Sequence, residues 1–210
     1  TVPGQPDKFL LIAHGTHWSQ VTASNLLMVS LDGEVLEGEG VVEDTAFYIH
    51  APIHRARPDL QCIMHTHQTQ TLALAMIEGG AIEPINQNAL RYYDRVARDD
   101  NYNGLAFDDQ EGRRLAKSMQ GKNILMMANH GVLIGASSVA RAYDEIYYLE
   151  RTAAAQILAM STGRPLKLIP EEVCKETARQ MMSDNMHRFA NDHFNALKRV
   201  LDREQPDYKD

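Results

Sequence analysis

His65-Thr66-His67 closes the apolar run Leu60-Gln61-Cys62-Ile63-Met64. Side chains two apart on an extended strand point to the same face, so the two imidazoles project together. A third imidazole, His130, sits in Asn129-His130-Gly131 at the end of a second apolar run, Ile124 to Ala128. Three neutral nitrogen ligands that leave one position open suit Zn²⁺ or a similar divalent ion, and open sites of this kind are usually catalytic. The competing reading of the spacing alone is a pair of half-exposed histidines on a solvated strand end.

The elements that must carry these residues follow from periodicity. Phe9 to Ile12 and Leu26 to Val29 read as strands, with a turn at Asp32-Gly33. Residues 44–57 show a helical period, with Asp44 or Thr45 as the expected N-cap and Pro58 as the stop. A strand over 60–67 delivers the histidine pair, and a helix over 69–77 leaves it toward Gly79-Gly80. Residues 81–103 are irregular and rich in Asn, Asp and Tyr, which suggests loops with short strands; a helix over 108–119 and strands over 123–128 and 132–135 then bracket His130. Ser137 or Ser138 is placed to cap a long helix that ends at Gly163. Pro170 opens one further helix whose stripe is Met182, Met186, Phe189, His193, Leu197 and Leu201. The methionines there read as packing. These elements predict a single α/β domain over 1–210, in which helices cover a mainly antiparallel sheet and 164–204 form a helical extension.

Composition narrows the function classes. The 21 Lys and Arg against 28 Asp and Glu give a formal charge of −7 with no basic tract, which argues against a nucleic-acid partner. No apolar run approaches the roughly 18 residues of a membrane span, and Thr1 to Asp7 do not form a secretory signal. Two cysteines, Cys62 and Cys174, make no disulfide framework, so a cytoplasmic protein is expected.

Phe47-Tyr48-Ile49-His50-Ala51-Pro52-Ile53-His54-Arg55-Ala56-Arg57-Pro58-Asp59, Cys62-Ile63-Met64-His65-Thr66-His67, Gln87-Asn88-Ala89-Leu90-Arg91, Asn129-His130-Gly131-Val132-Leu133 and Tyr147-Tyr148-Leu149-Glu150-Arg151 together resemble the class II aldolase and adducin superfamily, in particular its adducin-like bacterial branch. The resemblance implies a three-layer α/β/α fold around a central, mainly antiparallel sheet, assembled as a homotetramer. It implies that His65, His67 and His130 hold a divalent metal, zinc before Fe²⁺ or Mn²⁺. In the sugar-phosphate aldolases of the family, that metal acts as a Lewis acid on the substrate oxygens and stabilises an enediolate.

Three departures limit what carries over. Where those aldolases carry a glutamate that is both ligand and acid/base, this chain has Ala46, and a methyl group moves no proton. Where they place small hydroxyl residues that bind phosphate, it has Asp44-Thr45, and a carboxylate there repels a phosphate dianion. The family's Gly-Asn and Ser segment is not found before the first strand.

Candidates for the missing roles are these. His50, one helical turn after Ala46, is a replacement base or fourth ligand, or else a histidine packed between helix and sheet; His54, a turn further, reads as structural or exposed. His14 and Gly15, in Ala13-His14-Gly15-Thr16-His17-Trp18, resemble the family's substrate-side loop and would offer donors to a carboxylate, or form a solvated turn. Asn86, Asn88, Arg91, Tyr92 and Tyr93 form the polar segment that in relatives approaches the pocket, sometimes from a neighbouring subunit. Arg91 could grip a substrate carboxylate or pair with Asp94 or Glu83, and Tyr92 is a candidate catalytic hydroxyl. His187 and His193 read as helix-surface or interface residues.

The leading expectation is a metal-dependent lyase or related enzyme for a small, non-phosphorylated hydroxy- or oxo-acid. Its reaction would be aldol cleavage, decarboxylation, epimerisation or dehydration, through Lewis-acid stabilisation of an enolate. The alternatives are a non-catalytic adducin-like scaffold, with actin binding improbable for want of a basic tail, and an iron-dependent oxidative enzyme on the same three histidines.

Overall fold

The computed structural model describes the backbone of residues 1–210 and all side chains except those of 184–187. Alternation builds the first sheet. In β1 (Lys8–Ile12) and β2 (Leu26–Ser30), Phe9, Leu27 and Val29 turn inward and are buried. The two strands pair antiparallel, Phe9 opposite Val29, and the turn at Gly33 (φ 93°) returns the chain into β3 (Val35–Glu37). All three β3 residues are exposed, so no alternation marked it in the sequence. This sheet packs through Phe9, Leu27 and Val29 against Ala51 and Phe47 of α1 (Asp44–Ala56).

Helix α1 starts where periodicity predicts, but its cap is Glu43 rather than Asp44 or Thr45. Glu43 has the extended backbone an N-cap needs, and its carboxylate accepts from the N–H of Ala46 at 2.6 Å. Pro52, inside α1, has no N–H to give the Tyr48 carbonyl. Gly112 of α3 (Asp109–Ser118) lies against that carbonyl: a Cβ at 112 would stand 2.0 Å from the Tyr48 oxygen and 2.5 Å from Cγ of Pro52. Only glycine allows α1 and α3 to approach so closely.

The central sheet runs β4 (Cys62–Thr66), β7 (Gly131–Ala136), β6 (Ile124–Met127), β5 (Val96–Asp99), in that spatial order. β4 with β7 and β7 with β6 are antiparallel, while β6 with β5 is parallel. Every residue of β6 and β7 is buried, the mark of strands covered on both faces. On one face Ile63, Leu125, Met127 and Leu133 pack with Ile49 and Ile53 of α1 and Leu115 of α3. On the other, Ile124, Met126, Val132 and Ile134 pack with Leu74 of α2 (Thr69–Ala75) and with Ile146, Leu149 and Ala153 of α4 (Val139–Met160). The expected α/β/α layering is therefore present, with the β1–β3 sheet as an addition beside it.

Beyond α4 the chain forms two helices where periodicity predicted one: α5 (Glu171–Met181), which packs against the 3₁₀ turn Asn88–Tyr92, and α6 (Asp184–Glu204), which packs on α4. Ser183, extended at ψ 162°, takes the N-cap position that separates them. Of the predicted stripe, Met182, Phe189 and Leu201 remain exposed, and the side chains of Met186 and His187 lie outside the described residues. Among the described residues no helix is long and apolar enough to cross a membrane.

Candidate metal centre

Three strand ends meet at one edge of the central sheet. β4 ends at Thr66, between His65 and His67, and β6 turns into β7 through Asn129-His130-Gly131. Asn129 takes the left-handed conformation (φ 57°) that asparagine tolerates better than most residues. Its neighbour Gly131 leaves room for the cluster: a Cβ there would stand 2.4 Å from the Thr66 oxygen and 2.8 Å from Cδ2 of His67. On the other side of the pair, Glu150 of α4 caps α2, accepting from the N–H groups of Gln70 (2.8 Å) and Thr71 (2.9 Å) and from the Thr71 hydroxyl (2.6 Å). The chain just after His67 is thereby fixed to α4.

The three imidazoles face one another. Ring centroids of His65, His67 and His130 are 4.8–5.0 Å apart pairwise, and one ligand nitrogen from each lies within 4.8 Å of the others. Nδ1 of His65 donates to the Val132 carbonyl at 3.1 Å, which leaves its Nε2 lone pair facing the cluster. That Nε2 stands 3.2 Å from Nε2 of His67. Two lone pairs so placed repel unless a cation or proton lies between them. Tetrahedral zinc with bonds of about 2.0–2.1 Å would set its nitrogen ligands about 3.3 Å apart, so the donor set fits such an ion.

The electrostatics favour the neutral form of His65 and of His130. Burial, then the neighbouring His130 and His50, push His65 down to about 3. Burial also lowers His130, with His67 adding to it, while Glu111 and Asp99 pull the other way. Neutral imidazole is the form that binds metal.

The other predicted residues divide between the two ends of the sheet. His50 is close enough to His65 to shift its titration, and burial holds His50 itself at about 4. His54 is a core residue: it is 4% exposed, donates Nδ1–H to the Leu60 carbonyl and packs on Phe9. His14 is exposed on a turn in which Gly15 takes φ 84°. It lies near Glu43: burial works to raise that carboxylate, but hydrogen bonds from Thr45 and Ala46, with His14 nearby, hold it below its usual range.

Arg91, Tyr92 and Asn86 are not gathered at the histidine edge. Arg91 is buried and pairs with Asp144, rather than with Asp94 or Glu83, and its guanidinium stacks 4.3 Å from the Tyr148 ring centroid. The Tyr92 hydroxyl donates to the Glu145 carbonyl at 2.8 Å, and burial raises it well above the ordinary phenol range. The Asn86 side chain accepts from Ala89 N–H. Asp144 and Glu145 belong to the first turns of α4, which follows the end of β7 opposite Gly131. His193 joins this far cluster through Nδ1 at 2.8 Å from Asp144.

Tyr102, which the sequence did not single out, does reach the histidines, with its ring 6.0 Å from that of His130. The parallel pairing of β5 with β6 brings them together, since Asp99 lies opposite Met127 and both strands leave the sheet at that edge. A strand order of this kind has no local sequence signal.

Comparison with known proteins places this geometry in a family. The model of the Class II Aldolase and Adducin N-terminal domain matches residues 1–157. A Caulobacter vibrioides protein named only for aldolase class 2 is 31% identical over 210 residues, covering 100% of this chain and 81% of its own length. The decarboxylase NovR of Streptomyces niveus is 33% identical over 167 residues, 79% of this chain and 61% of that protein. A crystal structure of an aldolase II superfamily protein from Pseudomonas syringae superposes with a TM-score of 0.91 at 35% identity, covering 100% of this chain and 84% of the other.

Proposed function

This chain belongs to the class II aldolase and adducin family, and on that premise we propose that it is a divalent-metal-dependent lyase for a small, non-phosphorylated hydroxy- or oxo-acid. The observation that carries the reading is the convergence of His65, His67 and His130, with the His65 and His67 Nε2 atoms 3.2 Å apart. These three residues would hold the ion, and we propose zinc, which three histidines with an open fourth position suit. Bound there, it would stabilise negative charge developing on a substrate carbonyl or hydroxyl oxygen. The likeness to NovR, a decarboxylase by name, supports lyase chemistry.

Absence of phosphate from the substrate is argued from α1. The amides at a helix N-terminus grip an anion when they are free. Here Glu43 already occupies Ala46 N–H, and Asp44 follows it, so two carboxylates stand where a phosphate would dock. His50 remains the proposed base: it is neutral by burial, near His65, and one turn from Ala46, where the family's carboxylate is missing. His14 and Gly15 stay on the proposed substrate side; Arg91, Tyr92 and Asn86 are engaged elsewhere and are given no part. A homotetramer belongs to the same proposal, and light scattering on the purified protein checks it.

Ala46 also favours a second reading, a metal-binding scaffold without turnover. The experiment is a screen of zinc-loaded protein against hydroxy- and oxo-acids and, in parallel, sugar phosphates. Zinc-dependent turnover confined to the acids supports the proposal. Efficient cleavage of a sugar phosphate contradicts the charge argument, and metal binding with no turnover favours the scaffold.

A further inference from the structure

We infer that Tyr102 forms a wall of the ligand site and selects acids that carry an aryl group, an inference that rests on the metal-dependent reading above. Its loop joins β5 to α3 and is held at both ends. Asn101 N–H donates to the Asp99 carboxylate at 3.3 Å, and the Asn101 carbonyl accepts from Arg114 at 3.1 Å. Ala106 is buried in the core with Ile49 and Met127, and Asp108 caps α3. Between those anchors Tyr102 sets its ring 6.0 Å from His130 at 69°, an edge-to-face arrangement.

The ring is nevertheless 50% exposed, and among the described residues its hydroxyl makes no hydrogen bond. Leu105 and Phe107, in the same loop, are 64% and 60% exposed. Single exposed apolar residues are ordinary on a protein surface, and Tyr102 is set apart from Leu105 and Phe107 by its ring's contact with a metal-ligand candidate. His65, His67 and His130 would hold the ion that takes the hydroxyl and carboxylate of an acid, and a substituent directed to the His130 side of that site would meet Tyr102. An aryl substituent would pair with that ring, whereas a methyl group would leave it wet.

Lactate and mandelate test this, because they share one chelating group and differ only in methyl against phenyl. Calorimetric titration of both into zinc-loaded protein should show mandelate binding about 2- to 12-fold more tightly, the range set by one aromatic pair. Tyr102→Phe should keep that preference, and Tyr102→Ala should abolish it while zinc content and lactate affinity stay unchanged. Equal affinities in the wild type, or a preference that survives in Tyr102→Ala, would overturn the assignment and leave the metal-dependent reading standing. If neither acid binds the zinc-loaded protein, the Tyr102 assignment falls, while the metal-dependent reading is decided separately by zinc content and by the acid screen.

Discussion

Nδ1 of His65 donates to the main-chain carbonyl of Val132 at 3.1 Å, and this one bond turns its Nε2 toward His67. Thr66 pairs with Val132 across β4 and β7, so the acceptor belongs to the strand whose first residue follows His130. The sheet that places the three rings thus also fixes which nitrogen of His65 faces the cluster.

Gly131→Ala tests the packing beneath the rings. The added Cβ would meet the Thr66 oxygen and the His67 ring, neither of which is the end of a flexible side chain. We expect a loss of about 1–3 kcal/mol in denaturant unfolding. Zinc affinity should fall by more than tenfold as His67 is displaced, and unchanged affinity would show that the ring has room to yield.

Glu150→Ala should loosen the same histidine from the other side. It leaves Gln70 N–H, Thr71 N–H and the Thr71 hydroxyl without their acceptor at the start of α2, a cost of about 2–3 kcal/mol. Hydrogen exchange should rise first over 68–72. Uniform loosening of the whole chain would contradict a local role.

The pH dependence of the metal-free protein follows from its buried histidines. In the folded state His54 and His65 titrate at about 3 and His50 at about 4, against about 6.5 in the unfolded chain. Below about 6.5 the unfolded state takes up protons that the fold refuses, so stability is full above that pH and is lost progressively as pH falls toward 4. Each histidine contributes about 1.4 kcal/mol per pH unit to that slope. His54→Leu should lower the slope by one proton in urea titrations between pH 6 and 4.5; an unaltered slope would refute the assignment.

Much of this fold is legible in the chain, because amphipathic periods and apolar runs mark the helices and most strands. What escaped was decided by tertiary structure. β3 has no buried face to betray it, and Glu43 caps α1 because its backbone is extended there, although Asp44 and Thr45 are better capping types. The three histidines were readable as strand-end residues, and the pairing of β4 with β7, which the structure supplies, brings them together. Arg91 and Tyr92 look like pocket residues by type, yet Asp144 and the Glu145 carbonyl, more than fifty residues away in sequence, engage them at the other end of the sheet. Tyr102 was missed for the converse reason: a parallel pairing that no local pattern announces carries it to His130.

The most direct test of the account is elemental analysis of protein dialysed against zinc, the wild type beside His65→Ala/His67→Ala. One ion per chain in the wild type, and none retained by the double variant at unchanged circular dichroism, is the predicted result. Full stoichiometry in the double variant, or a wild type that holds no ion, would contradict a metal centre at His65, His67 and His130.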